Sequence, residues 1–278
     1  MPPRLRLPGR KTDTSREIVS KNQSPTRIVE QDTELRMGFF QHLEELRRRM
    51  FFSLLALLIA SAGGVILAQP ILKLLIEPYS SLYPDGQELI VLGPTGAVVA
   101  YFRVALLIGG VVAVPVITYE ILMFIMPGLT RRERRYVLLA VPAIGLLFLT
   151  GALFTWFVLM PPAIAFLESF QSDVFQPEWT AEQYLSFVTS LMFWMGVSFE
   201  LPLVFFILAL LGMVRAGTLI RGWRLAIVGA AVAAAIITPT VDPVNMTLVM
   251  APLLTLYLIS VGMVRLGTRI GGHEPRRR

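Results

Sequence analysis

Long apolar runs separated by short polar segments set the pattern of this chain. Residues 51–68 and 136–160 contain no charged side chain, and each run is close to the about 20 helical residues that cross a hydrocarbon core about 30 Å thick. This pattern predicts an all-α, polytopic membrane protein with six transmembrane helices. The predicted spans are residues 51–69, 97–123, 136–160, 185–212, 224–238 and 245–264.

The polar ends of the chain predict two tails. Residues 1–33 mix proline, serine and charged residues without an apolar core, which indicates a disordered cytoplasmic tail rather than a cleavable signal peptide. Residues 34–265 form the predicted membrane domain. Residues 266–278 form a basic cytoplasmic C-terminal tail.

Helical segments are also predicted outside the spans. An amphipathic helix over residues 34–50, capped by Asp32 or Thr33, suits a position on the membrane face before the first span. Its apolar residues recur at helical spacing at Leu35, Phe39, Leu43, Leu46 and Met50. The connections at 70–96 and 161–184 open with apolar sequence, so we expect helical caps on the outer side.

Basic residues determine the predicted orientation. Of the 25 Lys and Arg residues, 23 lie in segments assigned to the cytoplasmic side, namely residues 1–50, 124–136, 212–224 and 264–278. Because cytoplasmic loops carry an excess of Lys and Arg, both termini are predicted to lie in the cytoplasm. The same topology accounts for a pI near 10.0 without a nucleic-acid partner.

Composition and motifs exclude several classes of function. The chain has no cysteine and only two histidines, which excludes disulfides and thiolate metal sites and argues against a histidine-ligated metal or haem. None of its three lysines ends a G-x-x-x-x-G-K-[ST] loop, so the chain carries no P-loop motor. No familiar hydrolase or zinc-protease motif appears, and we predict neither an enzyme nor a cofactor.

A charged cluster, His42–Arg49, precedes the first span. Glu44 and Arg48, like Glu45 and Arg49, have the i,i+4 spacing of helical ion pairs, and arginines anchor helix ends at a membrane face. The functional alternative is that a carboxylate at this surface accepts an arginine from a partner.

A second cluster, Phe124–Arg135, follows the second span. Thr130 and Glu133 have the T-x-x-E spacing of a capping box that opens the third span, and the four arginines fit the positive-inside rule. Glu133 is also a second candidate acceptor, because it lies on the same predicted membrane face as Glu45.

Glu200 falls near the middle of the fourth span, about 18 Å along the helix from Gly212. A carboxylate at that depth costs at least about 2.5 kcal/mol unless it is hydrated, paired or protonated, which favours a functional role over a buried acid. Pro202 is expected to bend this helix. Arg103 is a conceivable partner for Glu200, or it snorkels towards the outer face.

The segment Thr238–Pro243 joins the last two predicted spans. Its prolines and threonines are typical of a tight turn, which the topology places on the outer side. Asp242 is positioned to cap the sixth span.

Taken together and in this order, these motifs resemble the TatC family, the receptor core of the twin-arginine protein translocase. The resemblance covers about residues 37–265. Its pieces are H-L-x-E-L-R-x-R (His42–Arg49), E-P (Glu77–Pro78), P-V-I-x-Y (Pro115–Tyr119), F-I-x-P-G-L-x-x-x-E-R-R (Phe124–Arg135), Y-L-S-F (Tyr184–Phe187), G-V-S-F-E-x-P (Gly196–Pro202) and T-P-x-x-D-P (Thr238–Pro243).

The resemblance implies a receptor for the Arg-Arg signal peptides of folded cargo, which bind at the cytoplasmic face. It implies that Glu45 and Glu133 receive the arginine pair and that Arg47 belongs to the same surface. Phe124 and Pro127 would shape the adjoining loop.

The resemblance also implies roles within the membrane and at its outer side. Glu200 would face a concave, partly hydrated surface, and Pro78 would shape the outer cap. Thr238, Asp242 and the last two spans would dock single-span TatA/TatB-type subunits. Transport would use the proton-motive force, through a receptor complex with several copies of this chain, in the cytoplasmic (inner) membrane of a prokaryote rather than a thylakoid.

The chain departs from the family pattern at several positions. Gly96 stands where many members have an acid, Arg103 replaces a common lysine, and Glu120 stands where glutamine is usual. Met246 occupies a position that is often polar, and the Thr238–Asp242 spacing is one residue longer than in some relatives.

A secondary transporter or channel that uses Glu200 is the alternative function, which ion flux through this protein alone in liposomes would favour. An intramembrane enzyme is a third and more distant class, since the sequence shows no paired catalytic groups. Removal of residues 1–33 is expected to leave export largely intact.

Overall fold

The computed structural model describes residues 25–82, 89–125, 131–170, 178–238 and 242–271. Side chains are described over most of this part, but not at residues 25–40, 81–82, 125, 131–134 and 136–137. The chain divides into two compact units, residues 1–48 and 49–278.

The described residues form eight α-helices and one π-helical segment. They are α1 (Pro25–Leu82), α2 (Gly96–Ile125), α3 (Arg131–Phe154), the π segment (Thr155–Leu159), α4 (Met160–Ser169), α5 (Ala181–Leu210), α6 (Ala216–Arg221), α7 (Trp223–Ile237) and α8 (Pro243–Ile270). Within the described ranges, extended pairing is limited to an isolated bridge between Ile90 and Thr180. The predicted all-α class is confirmed.

Five stretches of the described residues are long and apolar enough to cross a bilayer; they contain the first, second and sixth predicted spans and most of the third and fourth. They are Gln41–Ser80, Gly96–Phe124, Leu138–Ser169, Ala181–Leu210 and Pro243–Ile270. The predicted fifth span corresponds to α7, whose 15 residues extend about 22 Å against a core of about 30 Å. Six crossings and the orientation of the termini therefore stay predictions.

Helix α1 differs from its predicted boundaries at both ends. It begins at Pro25, before the predicted cap at Asp32 or Thr33, so residues 25–33 of the predicted tail belong to it. It also continues through Pro70 and Pro78 to Leu82 without a break. The helical caps expected after the first and third spans are confirmed, as the last part of α1 and as α4.

The core of the second unit is built around α5, which packs against α8, α3 and α2. Tyr184 of α5 is fully buried, and its hydroxyl donates a hydrogen bond of 2.9 Å to the carbonyl oxygen of Leu75 in α1. Its ring also lies against Tyr79, with centroids 5.6 Å apart. The hydrogen bond to Leu75 satisfies the Tyr184 hydroxyl, which would be costly to bury alone.

Two glycines allow α3 and α5 to approach closely. A Cβ atom on Gly151 would lie 2.8 Å from the carbonyl oxygen of Met195, and one on Gly196 would lie 2.7 Å from the ring of Phe148. Small residues at such crossings give the backbone contact on which helix association in a membrane depends.

The π segment lies between α3 and α4. It begins at Thr155, whose buried hydroxyl donates to the carbonyl oxygen of Gly151 at 2.9 Å. This bond satisfies a buried hydroxyl at the point where the helix changes from α to π winding.

Candidate functional site

The charged cluster before the first span lies on an exposed part of α1, and all of it except Arg49 belongs to the first unit. Arg47 Nη2 lies 3.9 Å from Glu44 Oε1, and the two side chains are 83% and 74% exposed. Such a pair contributes little to stability. Glu45 is half-buried, so the two neighbouring carboxylates have different environments.

At the first residue of the second unit, Arg49 pairs with Glu120 of α2. Arg49 Nη1 donates to Glu120 Oε2 at 2.8 Å, and the side chains are only 21% and 17% exposed. A charge-assisted bond of this length in a partly buried site is stronger than a surface pair. In the sequence, Glu120 stands out only as a departure from the family pattern, and spacing gives no signal for this pair because 71 positions separate the partners.

Further along the chain, Phe124 lies half-buried near the end of α2. Pro127 lies outside the described residues. Glu133 lies in the first turn of α3, but its side chain is outside the described part. The predicted capping box at Thr130 and Glu133 and the joint use of Glu45 and Glu133 therefore stay predictions.

Glu200 is 4% exposed in α5. The hydroxyl of Thr118 in α2 donates to Glu200 Oε2 at 2.7 Å. Glu200 Oε1 is buried without a hydrogen-bond partner among the described residues. The conceivable pairing with Arg103 is wrong, because Thr118 takes that place. An unsatisfied carboxylate oxygen at this depth marks a site that can accept a proton or a donor from outside the chain.

Arg103 lies on α2, where it faces the first turns of α5. Its Nη1 group donates to the hydroxyl of Ser186, and its Nη2 group lies 4.0 Å from Glu182 Oε1. These residues line an open cavity of about 670 Å³ together with the segment 90–96. Arg103 and Glu182 are 37% and 49% exposed, so both remain accessible.

The turn between α7 and α8 carries the other predicted polar residues. Thr238 is 4% exposed, and its hydroxyl donates to the carbonyl oxygen of Ala234 at 2.8 Å. Asp242 accepts from the backbone N–H of Asn245 at 2.7 Å, so the predicted cap of the last helix is confirmed. Pro78, placed by sequence in the outer cap, lies half-buried inside α1.

Histidine and acidic side chains do not gather into a metal site in the part of the chain that the structure describes. The contacts of Thr118 and Ser186 were not predicted from the sequence, in which Ser186 appears only as part of the Y-L-S-F motif and Thr118 is a lone hydroxyl residue in an apolar helix. Their roles follow only from helix packing, which brings α2 and α5 together across more than 80 positions.

Comparison with known proteins gives consistent matches along most of the chain. Residues 41–252 match the family model of the Sec-independent protein translocase protein, TatC. The chain is 35% identical to the TatC protein of Synechocystis sp. over 249 residues, which cover 90% of this chain and 96% of that one. It is 38% identical to the TatC protein of Koribacter versatilis, covering 82% and 84% of the two chains.

Chloroplast proteins and a solved structure match as well. Identity to the chloroplastic TATC protein of Pisum sativum is 37% over 233 residues, which cover 84% of this chain and 65% of the pea protein. A crystal structure described as the twin arginine translocase receptor TatC superposes with a TM-score of 0.72 at 36% identity, covering 82% of this chain and all of that one. With its five long apolar helices and these matches, the chain is a multi-pass membrane protein that belongs to the TatC family of Sec-independent protein translocase proteins.

Proposed function

We propose that this chain is the signal-peptide receptor and core subunit of a twin-arginine translocase. The observation that carries the proposal is the family match over residues 41–252, a range that contains both Glu45 and Glu133. The likeness to a crystal structure described as a twin arginine translocase receptor supports it.

In this proposal, Glu45 and Glu133 receive the two arginines of a signal peptide at the cytoplasmic face. A guanidinium offers a planar fork that matches a carboxylate bidentately, whereas a lysine offers a compact, strongly hydrated point charge. Two carboxylates at a fixed separation therefore discriminate Arg-Arg from Lys-Lys. Arg47 belongs to this surface, and Phe124 and Pro127 shape the loop beside it.

The half-buried position of Glu45 supports its role. A carboxylate that is partly removed from water gains more from a bidentate arginine than an exposed one, because solvent screens the exposed charge. Glu44, one residue earlier, is exposed beside Arg47 and provides a matched comparison. Arg49, on the same helix as Glu45, pairs with Glu120 of α2 and supplies an example of arginine–carboxylate pairing in this protein.

The proposed partners extend beyond the signal peptide. Single-span TatA/TatB-type subunits dock against the turn at Thr238 and Asp242 and against α7 and α8, and several copies of this chain share one receptor complex. Transport draws on the proton-motive force. The membrane is the cytoplasmic membrane of a prokaryote, with both termini of the chain in the cytoplasm.

The decisive experiment is photocrosslinking of an Arg-Arg signal peptide to this protein in membranes, beside a Lys-Lys peptide. Glu45→Gln and Glu133→Gln are each expected to reduce the Arg-Arg crosslink about tenfold or more, because a charge-assisted bond is worth about 1.5–3 kcal/mol. The Lys-Lys peptide is expected to crosslink weakly to every variant.

Glu44→Gln is the matched control and is expected to crosslink like the unmodified protein. Equal crosslinking of both peptides to all variants would contradict the receptor assignment. Glu45 would then be assigned only to a helical ion pair, and Glu133 only to helix capping.

A transporter or channel remains the second candidate, favoured by the unsatisfied Oε1 atom of Glu200. Liposomes that contain this protein alone test it. The receptor proposal predicts no proton or ion flux above that of empty liposomes. A flux that disappears in Glu200→Gln would establish the transporter instead.

A further inference from the structure

Arg103 is shared by two cavities of opposite character. On one side lies the open cavity of about 670 Å³, lined by Glu182, Ser186 and backbone of the segment 90–96. On the other side a groove between α2 and α5 continues past Leu106, Gly110, Phe193 and Trp194 to Ile117. A cavity that holds two charged side chains beside an apolar groove suits an amphipathic ligand.

We propose that this composite site binds one glycerophospholipid with a zwitterionic headgroup. The phosphate binds the guanidinium of Arg103, the ammonium group of the headgroup binds Glu182, and one acyl chain lies in the groove. This assignment is independent of the proposed receptor function.

The open cavity of about 670 Å³, called the headgroup cavity below, supplies both charges that such a lipid needs. The Arg103–Glu182 separation of 4.0 Å is too long for a direct hydrogen bond, so both side chains keep hydrogen-bonding capacity for a ligand. A guanidinium has five N–H donors, and Ser186 takes only part of them. Because a cation and an anion lie side by side, the cavity complements a zwitterion better than a purely anionic group.

The walls of the headgroup cavity are held in place by hydrogen bonds. The backbone N–H of Ile90 donates to the carbonyl oxygen of Trp179 at 3.1 Å, and the N–H of Ala181 donates to the carbonyl oxygen of Ile90 at 2.9 Å. Thr180 caps α5 by accepting from the N–H of Gln183 at 3.2 Å. These bonds join the segment before α2 to the start of α5, so the two charged side chains project from a fixed frame.

Arg103 also lies at the right depth for a lipid phosphate. Helix α2 has 30 residues, a length of about 45 Å, so about 7 Å at each end extends beyond a core of about 30 Å. Arg103 is about 10 Å from Gly96 at the helix start. That position is near the boundary between headgroups and hydrocarbon.

The groove has the dimensions of a hydrocarbon chain rather than of a helix. From Arg103 to Ile117 it runs about 21 Å along α2, somewhat longer than the about 15 Å of one leaflet. The cavity volume along it is about 330 Å³, which gives a mean cross-section of about 16 Å² over that length. An α-helix 10–12 Å in diameter has a cross-section of about 80 Å² or more, so a peptide helix does not fit inside.

The test uses the full chain in nanodiscs that contain trace photoactivatable phosphatidylethanolamine or phosphatidylglycerol with identical acyl chains. Crosslinks of the ethanolamine lipid to α2 and α5 peptides are expected to fall about tenfold in Arg103→Gln, because a charge-assisted bond is lost. Leu106→Trp, which fills the groove, is expected to reduce labelling by both lipids. Glu182→Gln is expected to shift labelling towards phosphatidylglycerol.

Arg221→Gln, at an exposed arginine of α6, is the matched control and is expected to label like the unmodified protein. Thermal unfolding of each variant reports whether it is folded. Equal labelling of folded Arg103→Gln and Arg221→Gln would show that the labelled lipid belongs to the non-specific annulus around the protein, and would overturn the proposal. An unchanged lipid ratio in Glu182→Gln would overturn the zwitterionic assignment, and crosslinking of a photoactivatable signal peptide along the groove would assign it to peptide instead.

Discussion

Arg49 and Glu120 form a pair that is neither fully buried nor freely exposed. About one fifth of each side chain remains accessible, so water screens the charges only partly. Removing one partner leaves the other charge incompletely solvated, and the loss then exceeds the net worth of the pair. Arg49 also makes other interactions, so a single substitution does not isolate this contact.

A double-mutant cycle does isolate it. We expect Arg49→Leu and Glu120→Leu to lower the free energy of unfolding individually, and the double variant to lose less than the two losses added together. The expected coupling is about 1.5–3 kcal/mol, as for a charge-assisted hydrogen bond. Thermal unfolding in detergent, followed by tryptophan fluorescence, measures it. Additive losses would show that the two side chains act independently despite their 2.8 Å contact.

The contact between Glu200 and Thr118 could not be predicted from the sequence. The sequence identified the acid, since a carboxylate in an apolar span is conspicuous. It suggested Arg103 as a conceivable partner for this acid, which is wrong. The choice between Arg103 and Thr118 depends on how α2 and α5 are placed along each other. That placement brings Thr118 to 2.7 Å from Glu200 and Arg103 to Ser186.

At the scale of elements, the crossing of α3 and α5 depends on the absence of side chains at Gly151 and Gly196. Water supplies no hydrophobic force between helices inside a bilayer, so close packing carries the association. A methyl group on Gly151 would meet backbone atoms of α5 at 2.8 and 2.9 Å. Backbone cannot rotate away as a flexible side chain does.

We therefore expect Gly151→Ala to destabilise the protein by about 1–3 kcal/mol, the usual range for overpacking. Gly229→Ala in α7 is the matched control, since a Cβ atom there has no neighbour within 4 Å. It is expected to be neutral or slightly stabilising because alanine favours a helix over glycine. Thermal unfolding of both variants in the same detergent makes the comparison, and equal stability of the two would contradict the close crossing.

The sequence predicts where the helices lie better than it predicts the residues at which they end. The helix predicted at 224–238 as the fifth span is observed at Trp223–Ile237, because charged residues and a turn delimit it. The end of the first span was not predictable in the same way. Pro70 and Pro78 suggest breaks, yet α1 runs through both, since packing of Leu75 and Tyr79 against α5 sustains it.

At the scale of the whole molecule, α7 decides the topology. If this short helix crosses the membrane, the chain has six crossings and both termini lie on one side. The positive-inside pattern supports that arrangement. A helix about 22 Å long then requires local thinning of the bilayer or shielding by neighbours, each at a modest cost.

The absence of cysteine makes the topology directly measurable. Single variants Arg215→Cys and Arg221→Cys are expected to react with a membrane-impermeant maleimide from the cytoplasmic side. Glu178→Cys and Val244→Cys are expected to react from the opposite side, and all four residues are exposed. Right-side-out and inverted vesicles distinguish the two sides. Labelling of Arg221→Cys and Val244→Cys from one side would mean that α7 does not cross.

The π segment Thr155–Leu159 sets the rotational phase of α4 relative to α3. A π turn uses about one more residue than an α turn, so every side chain beyond it is displaced by about 100° around the axis. Ordinary α-helical geometry there, with all five residues kept, would swing Ala163 and Ile164, both buried, out of the core, whereas deleting one residue together with the π turn would leave their phase nearly unchanged. The π winding of this segment, which absorbs one extra residue, therefore fixes which face of α4 meets the rest of the protein.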